Sequence, residues 1–122
     1  MIIDTHAHID FDEYSHKFEQ MLDNAYQNRV EKIIIPAVEP TTFQRVVDTA
    51  NKSENLYCAI GVHPSEAKAY NDEVEKTIIE YSSNPKVVAI GECGLDYYWD
   101  KSFNDIQKDV FKRQIRLANC TR

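Results

Sequence analysis

The sequence predicts an α/β fold of four successive strand-helix units on a parallel sheet, and three observations carry that prediction. Apolar β-branched runs begin near Ile2, Lys32, Leu56 and Val87. Each is followed by a longer polar stretch with helical spacing. The runs themselves are almost continuously apolar, as in Ile33-Ile34-Ile35 and Val87-Val88-Ala89-Ile90, the pattern of strands buried on both faces of a parallel sheet. No linker interrupts the alternation, so residues 1–122 read as a single domain with right-handed crossovers.

The first strand, from Ile2, runs into His6 and His8. The first helix is expected over Ser15 to Gln27, where Phe18, Met21, Leu22 and Ala25 recur at offsets of three and four and Ser15 is placed to cap the start. The second covers Thr42 to Lys52, with Phe43, Val46, Val47 and Ala50 on one face and Pro40 ahead of it. The third spans Glu73 to Ser82, and Asn84-Pro85 turns the chain into the last strand. The fourth starts near Asn104, with Ile106, Val110, Phe111, Ile115 and Ala118 as its apolar stripe. The tail Asn119-Cys120-Thr121-Arg122 breaks that stripe.

Composition narrows the class. The chain has 122 residues, 43% hydrophobic and 28% charged, enough for one real core and about half of the ~250 residues of a (β/α)8 barrel. It contains neither an apolar run long enough to span a bilayer nor a secretory signal. Cys58, Cys93 and Cys120 are odd in number and widely spaced, as expected of reduced thiols in the cytoplasm rather than a disulfide framework. The net charge of −6 repels polyanions, so a phosphodiester substrate has to be drawn in by metal ions or local basic groups.

Chemistry-bearing residues collect where each run stops: His6 and His8 after the first, Pro36 after the second, Gly61-Val62-His63-Pro64 after the third, and Gly91-Glu92-Cys93-Gly94-Leu95-Asp96-Tyr97 after the fourth. In parallel α/β folds that edge is where ligands bind. On an extended strand positions i and i+2 face the same way, so His6 and His8 point together and suit one divalent metal. Glu92, flanked by Gly91 and Gly94, is a third candidate. His63 alone is weaker, since a single histidine at a strand end is more often structural. Asp4 and Asp10 either orient the histidines or serve as turn and cap residues, the latter being favoured. Cys93 is read as a packed thiol and His16 as solvated. Asp96, Tyr97, Tyr98 and Trp99 suit stacking on a base or sugar and suit loop packing equally well.

These segments, Asp4-Thr5-His6-Ala7-His8-Ile9-Asp10-Phe11, Gly61-Val62-His63-Pro64 and Gly91-Glu92-Cys93-Gly94-Leu95-Asp96-Tyr97-Tyr98, closely resemble the TatD-type metal-dependent hydrolases in order and spacing. The resemblance extends from Met1 to about Ala118, including the helix around Phe111-Lys112-Arg113-Gln114-Ile115. It implies the N-terminal half of a (β/α)8 TIM-type barrel with a centre of two divalent ions (Mg, Mn or Zn) and hydrolysis of phosphodiester bonds in DNA. It implies His6, His8 and Glu92 as metal ligands, with Glu92 as the bridging, catalytic carboxylate. It implies His63 in the pocket or at a phosphate, and Asp96 and Tyr97 are taken as substrate-binding candidates from the aromatic cluster they belong to. Ser65 stands where many members have another histidine.

The family completes its metal site with two histidines and an aspartate after later strands, and these fall beyond this sequence. The expectation is therefore a truncated chain or partial reading frame whose function is that of the whole enzyme. Two alternatives remain. One is a non-catalytic remnant or half-barrel module that self-associates through its open sheet edges. The other is an ester, lactone or amide hydrolase of the same superfamily, since the ligands alone do not fix the bond that is cut.

Overall fold

The apolar runs pair in chain order. In the computed structural model, which describes residues 1–121, β1 (Ile2–Asp4), β2 (Val30–Pro36), β3 (Leu56–Ile60) and β4 (Val87–Ile90) form one sheet ordered β1-β2-β3-β4. Every neighbouring pair is parallel. Helices α1 (Phe18–Gln27), α2 (Phe43–Ala50), α3 (Asp72–Ser82) and α4 (Asn104–Cys120) follow the strands in turn.

Period-2 alternation divides each strand between two surroundings. Ile33 and Ile35 of β2 and Leu56, Cys58 and Ile60 of β3 enter the core with Phe18, Leu22, Phe43, Val46, Val47, Ala50 and Ile78 of the first three helices. Ile34, Pro36, Ala59 and Ala89 line the opposite face, a cup of about 460 Å³ that also reaches His6 and Glu92.

Burial on both faces holds for β2 and β3 and fails for the outer strands. All of β1 is exposed, as is Val88 of β4. A strand with only one neighbour keeps an open edge, and β1 packs mainly against β2. Helix starts also shift. A 3-10 helix over Asp12–Lys17 precedes α1, which begins at Phe18 without a side-chain cap, so Ser15 does not cap it. Another over Pro40–Thr42 precedes α2, which ends at Ala50 rather than Lys52. At α3 the side chain of Asn71 accepts the Val74 N–H, starting the helix at Asp72. Helix α4 continues through Asn119 to Cys120. Arg122 lies outside the described residues.

The stripe expected on α4 is met at Val110, which is buried, and at Phe111, which is half-buried, and it fails at its other positions. Ile106 and Ile115 are exposed, while Phe103, Gln107, Val110, Gln114 and Leu117 are buried. The glutamines face inward because each matches a backbone pair of a loop. Gln114 Oε1 accepts the Val62 N–H (2.8 Å) and its amide donates to the Val62 carbonyl (3.0 Å). Gln107 does the same for Asp96, both bonds at 2.8 Å. Gly61 makes room for this: a Cβ there would lie 2.8 Å from Gln114 Oε1 and from the Gly91 backbone. Across the outer surface, Arg113 of α4 binds Glu75 (2.9 Å) and Asp72 (2.6 Å) of α3.

Replacing Gln114 by Leu leaves two buried backbone groups unpaired, at about 1–3 kcal/mol each. The urea midpoint of Gln114→Leu should therefore fall sharply at constant m, whereas Ile115→Gln, on the exposed face, stays within about 0.5 kcal/mol of the parent. Alkaline stability is a second check. Burial pushes the Cys58 thiol from 9.0 to about 12, against the lowering charge of Lys86. Burial and then the Glu75 hydrogen bond raise the Tyr70 phenol. The folded state holds both protons more tightly than the unfolded chain, so this contribution is whole below pH 9.0 and is lost as pH climbs toward about 12. Cys58→Ala should show a shallower loss of urea midpoint across that interval.

Candidate metal centre

Strand β1 ends at Asp4, so His6 and His8 stand just beyond the ladder rather than on it. Two local contacts preserve the extended course that makes them converge. Asp4 Oδ1 accepts the His6 N–H at 3.0 Å, which is a turn role for Asp4. The Ala7 N–H donates to the Ile34 carbonyl at 3.2 Å, holding the segment against β2.

Glu92 follows β4 across a cis Gly91–Glu92 peptide. Gly91 N–H donates to Ile60 O (3.1 Å) and Glu92 N–H to Ala37 O (2.9 Å), so the loop is held by the ends of both central strands. Beyond it Gly94 takes a φ of 148°, open to glycine and strained for other residues. His63 starts the 3-10 helix Pro64–Ala69, its N–H bound to Val38 O at 2.7 Å.

Together these loops close on one carboxylate. His6 Nε2 and His8 Nε2 each lie 3.3 Å from Glu92 Oε2 and 3.2 Å from each other. His63 Nε2 lies 3.5 Å from the other oxygen, Oε1. Among the described residues, His6, His8 and Glu92 are the group able to hold a metal ion.

The donor set fits a divalent ion. A tetrahedral centre with bonds of about 2.0–2.1 Å sets its ligand atoms about 3.3 Å apart, and the observed triangle has edges of 3.2, 3.3 and 3.3 Å. A neutral imidazole has one N–H and a carboxylate has none, so mutual hydrogen bonding does not explain three such contacts. Lone pairs facing a shared centre do. The His8 ring stacks on Phe11 at 4.8 Å and 24°, which fixes its plane, and its Nδ1 is buried without a partner among the described residues.

His63 plays a different part. Its Nδ1 accepts the Ser65 N–H at 3.0 Å and lies 2.7 Å from Ser65 Oγ. A backbone amide only donates, so neutral His63 carries its proton on Nε2 and presents an N–H toward Glu92 Oε1. Ser65 thereby sets the histidine's tautomer. Asp10 is buried and binds Arg45 Nε at 3.0 Å. Arg45 in turn lies 5.7 Å over the Phe11 ring that backs His8, so Asp10 acts on the packing behind the site. Burial, and then the Glu92 charge, raise the Cys93 thiol, which stays protonated and packed. His16 is exposed on the first 3-10 helix.

Asp96 and Tyr97 do not join the cluster. Gln107 grips the Asp96 backbone, and Asp96 Oδ1 accepts the Tyr98 N–H at 3.0 Å. The Tyr97 hydroxyl is buried without a partner among the described residues. Sequence reasoning missed the inward roles of Gln107 and Gln114, and it marked Ser65 only as a departure from the family pattern, without its contact to His63. The glutamines were signalled only by sharing a helical face with Phe103, Val110 and Leu117.

Parallel strand-helix units that gather two imidazoles and a carboxylate at the C-terminal edge of their sheet define the N-terminal half of a TIM-type barrel with a candidate metal site. The family model for TatD related DNases matches residues 3–122, and the chain belongs to that family. It is 42% identical to the uncharacterized metal-dependent hydrolase YabD of Bacillus subtilis, over 97% of this chain and 46% of that protein. It is 30% identical to the 3'-5' ssDNA/RNA exonuclease TatD of Cronobacter turicensis, over 96% of this chain and 44% of that protein. The crystal structure of YjjV, a TatD homologue from Escherichia coli K12, superposes with a TM-score of 0.88 at 36% identity, covering 98% of this chain and 47% of that one. The chain thus spans about half the length of the curated relatives it matches.

Calorimetric titration with Zn²⁺ or Mn²⁺ should show binding that His6→Ala, His8→Ala or Glu92→Ala abolishes. His63→Ala, which removes a donor to Glu92 and no ligand, should weaken affinity by about 10–100-fold without changing stoichiometry.

Proposed function

We propose that this chain is the metal-binding N-terminal half of a hydrolase that cuts phosphodiester bonds in DNA, with residues 1–122 forming one unit of an incomplete barrel. The observation that carries the reading is the triangle of His6 Nε2, His8 Nε2 and Glu92 Oε2, with edges of 3.2–3.3 Å. Its edges favour an ion that accepts a tetrahedral nitrogen and oxygen set, such as zinc, over magnesium. A second ion would draw further ligands from outside these residues. The exonuclease named among the relatives supports a nucleic-acid substrate.

His6, His8 and Glu92 Oε2 would hold the ion, which when bound supplies Lewis-acid polarisation of a phosphoryl oxygen and acidification of a water. The protein's own groups prepare that position. The Glu92 carboxylate is divided between two tasks, Oε2 toward the ligands and Oε1 toward His63. The single N–H of His63, aimed at Glu92 Oε1, restrains carboxylate rotation. The cup lined by Ile34, Pro36, Ala59 and Ala89 presents apolar walls beside the centre.

The exposed edges, with Ile3 on β1 and Val88 on β4 half exposed, support pairing with further strands, either of the same polypeptide or of a second copy. We read the three free thiols among the described residues as consistent with a protein of the reducing cytoplasm. No described helix is long and apolar enough to cross a membrane.

The assay is metal-dependent release of nucleotides from an end-labelled single-stranded oligonucleotide. The parent chain should act only with added divalent metal, and the His6→Ala, His8→Ala double variant should fall to the metal-free background. Equal rates for the two proteins would overturn the reading.

A further inference from the structure

A second cavity lies beside the metal centre and is not used by it. It measures about 280 Å³ and is lined by Ser65 and Lys68 from the segment after β3 and by Asp96, Trp99, Asp100, Phe103 and Gln107 from the loop and helix after β4. Ser65 is the shared wall: its Oγ is 2.7 Å from His63 Nδ1, and His63 Nε2 is 3.5 Å from Glu92 Oε1. A ligand in this cavity is therefore two side chains away from the ion ligands.

The lining is built rather than accidental. Gln107 is buried and spends both ends of its amide on the Asp96 backbone, each bond at 2.8 Å, so the loop is anchored at the cavity floor. Phe103 is buried beneath Lys68, whose ammonium lies 4.6 Å from the ring centre. Asp100 Oδ1 accepts the Ser102 N–H at 2.8 Å, which turns the chain after Trp99. On this rigid base, Trp99 is 81% and Tyr98 79% exposed, with ring centres 4.6 Å apart and planes at 84°. Two large aromatic rings held in water at the mouth of a cavity bury too little surface for their position to be explained by packing.

The charges select the occupant. One ammonium, Lys68, faces two carboxylates, Asp96 and Asp100, so a phosphate gains no net attraction inside. A neutral planar ring with N–H donors gains the Trp99 face, the Phe103 edge and carboxylate acceptors. The volume is near the lower limit for small-molecule sites and suits one ring system.

We propose that this cavity is a nucleobase subsite, in which the Trp99 indole stacks on a base of a single-stranded segment whose backbone runs past Ser65 and His63 toward Glu92. It rests on the phosphodiester reading above for the direction of that backbone, and not for the base itself.

Trp99 is the sole tryptophan of the chain, so its emission reports the subsite directly. With the 122-residue chain in EDTA, titration with oligothymidylate should quench Trp99 emission saturably, and equally in the His6→Ala, His8→Ala double variant. An abasic oligomer of the same length and inorganic phosphate should leave the emission unchanged. By anisotropy of a labelled oligothymidylate, Trp99→Ala should bind about 5–150-fold more weakly, the loss of one base-aromatic stack. This exposed position is replaceable without loss of fold, and unchanged circular dichroism verifies that. Quenching without hydrolysis keeps the subsite and overturns the nuclease reading. Hydrolysis without quenching, quenching by the abasic oligomer, or neither signal at all overturns the subsite.

Discussion

Everything at the functional edge depends on holding one carboxylate where loops from three strands meet. Glu92 is positioned by its own backbone first: its N–H bonds to Ala37 O, and the preceding Gly91 bonds to Ile60 O. These bonds extend the parallel ladder one step past the strands, so the loop inherits the rigidity of the sheet. Only with the backbone so placed do His6 and His8 meet Oε2 while His63 meets Oε1. A carboxylate on a loose loop would turn away from three imidazoles at little cost.

Helix α4 secures the same edge from behind. A helix that packs on a sheet normally offers apolar side chains, and this one offers Gln107 and Gln114 at its most buried positions. Each glutamine presents a donor and an acceptor that reproduce the pairing of a missing strand. Loops carry unpaired backbone groups, and burying them against an apolar helix would leave those groups unsatisfied. The helix thus fixes the loop with His63 through Val62 and the loop after Glu92 through Asp96. The two loops that it fixes are also the walls of the cavity beside the metal centre.

The sheet is secure at its middle and open at its sides. Strands β2 and β3 have neighbours on both edges and helices against them, whereas β1 and β4 end the sheet with aliphatic side chains in water. The candidate metal ligands come from both outer strands, His6 and His8 after β1 and Glu92 after β4. The centre therefore spans the sheet from one open edge to the other, which couples its geometry to whatever completes those edges.

The residue pattern alone determined the four strand-helix units, their parallel order and the candidates His6, His8, Glu92 and His63, because alternating apolar runs and ligand-type side chains at strand ends are local signals. The α2 face of Phe43, Val46, Val47 and Ala50 was legible for the same reason, and all four are buried. Tertiary structure alone decided the rest. Whether Ile106 and Ile115 or Gln107 and Gln114 face inward depends on the backbone groups waiting in distant loops, Val62 and Asp96, which no helical periodicity encodes. Whether His63 holds a metal or donates to Glu92 depends on which ring nitrogen Ser65 occupies. Local propensity sets which segments form and where their ends fall, while hydrogen-bond satisfaction across the chain sets which side chains turn toward one another at those ends.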